Sequence, residues 1–167
     1  REGDRSLFWQ RADGSGSAEP LMAAEKGVDP YPESLSPDGK TLTFHPHIGG
    51  ADRGLWMLPL QGDRKGKPLI ETPRFSEGES SFSPDGRWLA YASIEGGASN
   101  VYVQPFPPTG AKYQITTDGG NYPLWSPDGK QLFYSTPTGI RRQIMSVDVR
   151  TEPSFSFGKG SSLPIEM

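Results

Sequence analysis

Hydrophobic residues lie in short bursts at alternating positions, and clusters rich in glycine and proline separate the bursts. In three places a leucine is followed two positions later by an aromatic residue, as Leu42/Phe44, Leu89/Tyr91 and Leu132/Tyr134. A period of two places both side chains on one face of a β-strand. The longest window without glycine or proline also alternates, at Met145, Val147 and Val149. The pattern predicts an all-β chain and disfavours helix.

A tetrapeptide recurs with these strands. Ser-Pro-Asp-Gly occurs at residues 36–39, 83–86 and 126–129, so the copies lie 47 and 43 residues apart. Each copy follows a large apolar residue and precedes a basic residue, and the leucine and the aromatic of the alternating pair come next. A period of roughly 40–50 residues is typical of the four-stranded blade of a β-propeller. The repeat predicts antiparallel blades of four strands.

The tetrapeptide has the chemistry of a turn between the first two strands of a blade. Proline presets φ, the aspartate side chain accepts a hydrogen bond from a nearby backbone N–H, and glycine tolerates positive φ. Asp38, Asp85 and Asp128 are therefore predicted to be structural turn residues, in preference to a ring of metal ligands. Third strands are predicted at 55–57, 101–103 and 144–147, and fourth strands near 68–70, 113–116 and 153–157.

This register divides the chain into about three and a half blades, or about fourteen strands. We predict one partial propeller domain over residues 1–167. It comprises a half-blade at 6–23 and blades at about 31–71, 78–117 and 121–160. Propellers typically have four to eight blades, because closure protects the edge strands. The count predicts either self-association or a larger propeller of which these blades are a part.

The repeat resembles the TolB-type, WD-like (PD-repeat) β-propeller family. The similarity is strongest in Asn-Val-Tyr-Val-Gln-Pro-Phe at 100–106, Thr-Asp-Gly-Gly at 117–120 and Trp-Ser-Pro-Asp-Gly-Lys at 125–130. These segments are most similar to the propeller region of bacterial serine/threonine kinases, although no kinase motif is present. The resemblance implies a periplasmic or extracytoplasmic setting, as an envelope module or the sensor portion of a receptor.

Charge and composition argue against several classes of protein. The net charge of -3 arises from 17 basic and 20 acidic residues spread along the chain, so no basic stripe predicts nucleic-acid binding. Pairs such as Arg141-Arg142 are interpreted as solvated turn charges. No apolar run is long enough for a membrane span, and Arg1 is not followed by a signal-peptide pattern. The absence of cysteine rules out disulfides and thiolate chemistry.

Two sites could carry a ligand. His45 and His47 are the only histidines, and their spacing puts both on one face of a strand, as for zinc or manganese ligands. Pro46 and the lack of identifiable further ligands favour a structural role for the pair. Tyr122, predicted to lie where a first strand enters the central opening, is the candidate contact for a peptide or small ligand. Trp125 is predicted to be buried between blades.

Catalytic patterns are absent from the sequence. There is no Gly-x-Ser-x-Gly elbow, and Glu77 and Glu79 are interpreted as solvated acids in a Gly/Ser-rich connection. We predict a non-enzymatic scaffold that binds a protein or small ligand without a cofactor. The alternative left open is a metal-assisted carbohydrate lyase or the accessory propeller of a peptidase.

Overall fold

Antiparallel β-strands make up the regular secondary structure of the described residues. The computed structural model describes residues 5–23, 25–70, 76–138 and 141–163, which contain sixteen strands. The all-β prediction is confirmed. The chain divides into two units, Arg1–Glu77 and Gly78–Met167. No helix in the described ranges is long and apolar enough to cross a membrane.

The first unit holds a hairpin and a five-stranded sheet. Strands β1 and β2 form the hairpin, and the sheet has the order β3–β4–β6–β7, with β5 paired to β4. Their bounds are β1 Phe8–Trp9, β2 Glu19–Pro20, β3 Val28–Leu35, β4 Thr41–Ile48, β5 Ala51–Asp52, β6 Leu55–Pro59 and β7 Lys67–Ile70.

The second unit holds a four-stranded and a five-stranded sheet. The first has the order β8–β9–β10–β11, and the second has the order β12–β13–β14–β15, with β16 also paired to β14. The bounds are β8 Glu77–Phe82, β9 Trp88–Ser93, β10 Asn100–Pro105, β11 Tyr113–Gln114, β12 Asn121–Trp125, β13 Gln131–Thr138, β14 Arg141–Arg150, β15 Ser156–Phe157 and β16 Ser161–Ser162.

The Ser-Pro-Asp-Gly turn has the same hydrogen bonds in all three copies. In the third copy the Ser126 hydroxyl donates to Asp128 Oδ1 at 2.7 Å, and the same oxygen accepts the Lys130 N–H at 3.1 Å. The Gln131 N–H donates to the serine hydroxyl at 2.9 Å. Gly129 has φ 69°, a conformation that favours glycine. These bonds satisfy the backbone where the chain reverses between the first and second strands.

An apolar cluster joins the two sheets of the second unit. Nine buried residues form it: Ala90, Val101, Val103, Trp125, Leu132, Tyr134, Val147, Val149 and Phe155. Trp125 is 6% exposed, and its indole N–H donates to the backbone oxygen of Ser81 at 3.1 Å. This indole therefore bridges neighbouring sheets, as predicted from its position before the motif serine.

The hairpin of the first unit packs on the adjacent sheet. Leu7 is buried with Phe44 and Leu58, and Leu21 and Met22 cover them. The hairpin thus contributes apolar side chains to the core of this unit, although it has only two strands.

Several predicted details were wrong. Glu77 and Glu79 do not lie in a loop: both belong to β8, and Glu77 is 1% exposed. Strands β5 and β16 were not foreseen, because they are additional to the four strands of the repeat. Residue 71, the predicted end of the first full blade, lies outside the described residues.

Candidate ligand site at the bulged strand ends

The first strand of each full sheet is irregular a few residues before the Ser-Pro-Asp-Gly turn. We call the end of each sheet opposite that turn the bulged end. Register shifts occur between Pro32 and Ser34 in β3 and between Asn121 and Leu124 in β12. Glu79 and Tyr122 each lie four residues before a motif serine, and they have φ values of 55° and 54°. Positive φ is uncommon outside glycine and clusters at functional sites.

Tyr122 is the centre of a polar cluster in the second unit. Its backbone N–H donates to Glu79 Oε2 at 2.7 Å, so the positive-φ residues of two neighbouring sheets are tied together. Its side chain is 52% exposed. The Arg142 guanidinium carbon lies 4.7 Å from the centroid of the Tyr122 ring, which is a cation–π arrangement. A hydrogen bond to Tyr122 is the main cause that raises the pKa of Arg142, and the negative charge of Glu79 adds to it.

A long hairpin brings Arg142 to this place. β13 and β14 have eight and ten residues, whereas β9 and β10 have six each. Arg142 opposes Pro137 near the far end of the long pair. From β14 its side chain extends across β13 to Tyr122 in β12. The hairpin of β9 and β10 is shorter and ends at the Ser93–Asn100 pair.

Tyr122 was singled out from the sequence as a candidate ligand contact, and its two partners were not. Arg142 was interpreted as a solvated turn charge, and it is exposed, but it lies on β14 over an aromatic ring. Glu79 was assigned to a loop. The sequence does contain one indication of the long hairpin. The stretch at 140–152 has no glycine or proline, so its strand can be longer than the corresponding strand of the other blades.

The two histidines lie at the bulged end of the first unit. His45 Nδ1 is 2.7 Å from Glu33 Oε1, and the imidazole stacks on Tyr31 with ring centroids 5.0 Å apart. His47 Nδ1 is 2.8 Å from Asp52 Oδ1, which lies 3.9 Å from His45 Nε2. Pro46 between the histidines is fully buried inside β4, so the pair lies within a strand.

A metal would need a convergent set of ligands, and we tested the histidine cluster for one. Within the ranges that the structure describes, no group of three or more His, Cys, Asp or Glu side chains is placed to hold a metal ion. Both Nδ1 atoms instead face carboxylates at hydrogen-bond distance. The arrangement can position side chains, and the geometry of the described residues does not supply a coordination sphere.

The motif aspartates lie at the opposite end of their sheets, so the structure does not bring them together with Tyr122. An open groove of about 830 Å³ lies beside the third of these turns, between Asp128, Asp148, Arg150 and Phe157. The charged groups along it have mixed signs.

Comparisons with known proteins support the propeller fold. No protein-family model matches the chain. An uncharacterized protein of Agrobacterium fabrum is 25% identical over 117 residues, which are 69% of this chain and 39% of that protein. TolB from Acinetobacter baumannii superposes with a TM-score of 0.72 and 23% identity over 95% of this chain and 37% of TolB. A putative TolB from Agrobacterium tumefaciens superposes with a TM-score of 0.73 and 17% identity, over 94% of this chain and 55% of that protein.

The chain therefore has the TolB-type β-propeller fold. It spans less than two thirds of the length of each of these relatives. Enzymes with this architecture superpose too: an oligogalacturonate lyase in complex with manganese has a TM-score of 0.60 at 17% identity, over 80% of this chain and 37% of the lyase. A prolyl endopeptidase superposes with a TM-score of 0.65 at 16% identity, over 91% of this chain and 25% of the endopeptidase. The similarity to kinase-associated propellers stays a prediction.

Proposed function

We propose that the chain is a non-enzymatic propeller scaffold that recruits a protein or small ligand through the bulged end of its second unit. The observation that carries the proposal is the Tyr122 cluster. Tyr122 has a half-exposed ring and a strained backbone conformation. Arg142 contacts the ring, and Glu79 accepts a hydrogen bond from the backbone N–H. Rigid aromatic and arginine side chains are the residues that most often dominate binding energy at interfaces.

The resemblance supports a periplasmic or extracytoplasmic setting for this scaffold. In that setting the module would act as an envelope component or as the sensor portion of a receptor. A site on rigid strands, rather than on a loop, is well suited to both roles because it loses little conformational entropy on binding.

Photocrosslinking tests which end of the sheet binds. Tyr122→p-benzoylphenylalanine and Lys130→p-benzoylphenylalanine place the same probe at the bulged end and at the turn end of one sheet. After irradiation in a bacterial envelope extract, we expect a discrete crosslinked product at position 122 that excess unlabelled wild-type chain abolishes. Equal or stronger specific crosslinking at position 130 would contradict the proposal.

We also propose that the first unit is covered by a further blade, supplied by another copy or by the rest of a larger propeller. Leu35 occupies the same motif position as Phe82 and Trp125, which are 7% and 6% exposed, yet Leu35 is 53% exposed. An uncovered sheet face of this kind favours association. Light scattering is expected to show oligomers of the purified chain, and a stable, well-folded monomer at micromolar concentration would contradict self-association.

The second candidate function is a metal-assisted lyase, which the manganese-bound lyase of similar fold favours. It predicts stoichiometric zinc or manganese in the purified chain, lost in His45→Ala, together with cleavage of oligogalacturonate. The scaffold proposal predicts neither metal nor cleavage. Metal analysis and the absorbance of the unsaturated product distinguish the two.

A further inference from the structure

Arg142 lies over the Tyr122 ring, and its guanidinium carries several hydrogen-bond donors. The guanidinium carbon lies 4.7 Å from the centroid of the Tyr122 ring. A guanidinium has five N–H donors in one plane, arranged as a fork that matches planar anions. A cation–π contact is electrostatic and does not itself use these N–H donors. Because Arg142 is exposed, a ligand can approach the donors.

The neighbouring charges select among anions. Glu79 lies close enough to Tyr122 to accept its N–H, and its negative charge acts on Arg142. The chain as a whole has a net charge of -3. A doubly charged phosphate is repelled by this field more strongly than a singly charged carboxylate. The site therefore favours a carboxylate.

An exposed apolar side chain lies near Tyr122 along the same strand. Leu124 is 61% exposed, two residues after Tyr122 on the same strand, and the tyrosine ring is itself half-exposed. Both side chains offer apolar area that a ligand could remove from water. A carboxylate next to an aliphatic side chain is the combination that fits both features.

We propose that Tyr122 and Arg142 form a carboxylate-binding subsite for a peptide segment that carries an aliphatic side chain beside the carboxylate. This inference rests on the proposed function and specifies its ligand class. The carboxylate belongs either to a peptide C-terminus or to an aspartate or glutamate side chain. In both cases the Arg142 fork binds the two oxygens, as in bidentate arginine–carboxylate pairs.

NMR titration of the ¹⁵N-labelled full chain tests the subsite with defined probes. N-acetylleucine carries the free carboxylate, N-acetylleucinamide is its neutral counterpart, and N-acetyl-aspartyl-leucinamide carries the carboxylate on a side chain. We expect N-acetylleucine or N-acetyl-aspartyl-leucinamide to shift the Tyr122 amide and the Arg142 Nε–H signals saturably, with the tighter of the two identifying the source. Inorganic phosphate is expected to bind more weakly. Equal shifts with the neutral amide, or no saturable shift with either carboxylate, would overturn the subsite.

Three variants separate binding from a structural role. Arg142→Lys keeps the charge and loses the fork, so the affinity for the carboxylate should fall roughly tenfold. Arg150→Lys, at an exposed arginine on the same strand, is the matched control and should leave the affinity unchanged. Glu79→Gln removes the opposing charge and should raise the affinity severalfold. If Arg142 only braces the hairpin, Arg142→Lys will change stability and leave the affinity as in the wild type, which contradicts the proposal.

The two proposals fail in different ways. If position 122 crosslinks a partner specifically and neither carboxylate probe binds, the ligand class is wrong and the scaffold proposal stands. If position 122 yields no specific product and the probes do not bind, both proposals fail.

Discussion

The indole N–H of Trp125 donates to the backbone oxygen of Ser81 at 3.1 Å, and this bond ties the third Ser-Pro-Asp-Gly sheet to the second. The ring is also part of the cluster that both sheets share. A single side chain therefore supplies apolar contact and a buried hydrogen bond at the same interface between neighbouring blades.

Two substitutions of Trp125 should destabilise the second unit to different extents. Trp125→Phe removes the donor and should lower the free energy of unfolding by about 1–2 kcal/mol. Trp125→Ala also leaves a cavity and should cost about 3–5 kcal/mol. Urea titration followed by tryptophan fluorescence or circular dichroism measures both. Leu124→Ala, at the exposed neighbouring position, is the control and should change the value by less than about 0.5 kcal/mol.

The motif aspartates should make stability depend on pH in the acid range. The hydrogen bond from the serine hydroxyl is the main cause that lowers the pKa of Asp38 and of Asp128. For Asp85 burial acts to raise the pKa, but hydrogen bonds from Ser83 and Arg87 outweigh it, and the net shift is downward. A carboxyl with a lower pKa in the folded state stabilises that state above its unfolded pKa, and the contribution is lost as pH falls through the folded pKa.

The variant with Asp→Asn at all three positions tests this dependence. Asparagine keeps the acceptor oxygen, so the turns should still form. We expect the urea midpoint of the wild type to fall more steeply than that of the variant between about pH 5 and about pH 2. Asp118→Asn, outside the turns, is the control and should retain the wild-type slope. Parallel curves for the triple variant and the wild type would show that the turn carboxylates do not contribute.

Tyr122→Gly should separate stability from binding. The φ of 54° at Tyr122 carries a strain of about 1 kcal/mol or more, which glycine relieves. Glycine in an ordinary strand position lowers stability by about 0.5–1 kcal/mol, and Tyr31→Gly in β3 is the matched control for that loss. We therefore expect Tyr122→Gly to be clearly less destabilising than Tyr31→Gly and to abolish ligand binding. A larger loss of stability at position 122 would argue against strain there.

Gly66 should not tolerate a side chain. A Cβ at this position would lie 2.8 Å from Cζ of Phe44, a buried ring in the core of the first unit. Gly66→Ala should therefore lower the free energy of unfolding by about 1–3 kcal/mol. At Gly158 the nearest atom to a new Cβ is the Asp148 backbone oxygen at 3.8 Å, so Gly158→Ala is the control. Equal effects of the two substitutions would contradict the close contact.

The sequence predicted the parts of the fold that depend on local chemistry. The turn that contains Asp128 could be read from four residues, because proline, aspartate and glycine each have a specific role in it. The burial of Trp125 followed from its place before the motif serine. Contacts between sheets were less accessible: the Glu79–Tyr122 bond joins residues 43 apart in sequence, and both adopt a conformation that no propensity favours. Arg142 was missed for the same reason, since only the strand register shows which ring it covers.

The most direct test of the scaffold account is the affinity of a purified partner, identified by crosslinking, for three forms of the chain. Isothermal titration with the wild type, Tyr122→Ala and Lys130→Ala compares the two ends of one sheet. The account predicts that Tyr122→Ala weakens binding by about tenfold or more and that Lys130→Ala leaves it nearly unchanged. Unchanged affinity in Tyr122→Ala together with a large loss in Lys130→Ala would contradict it.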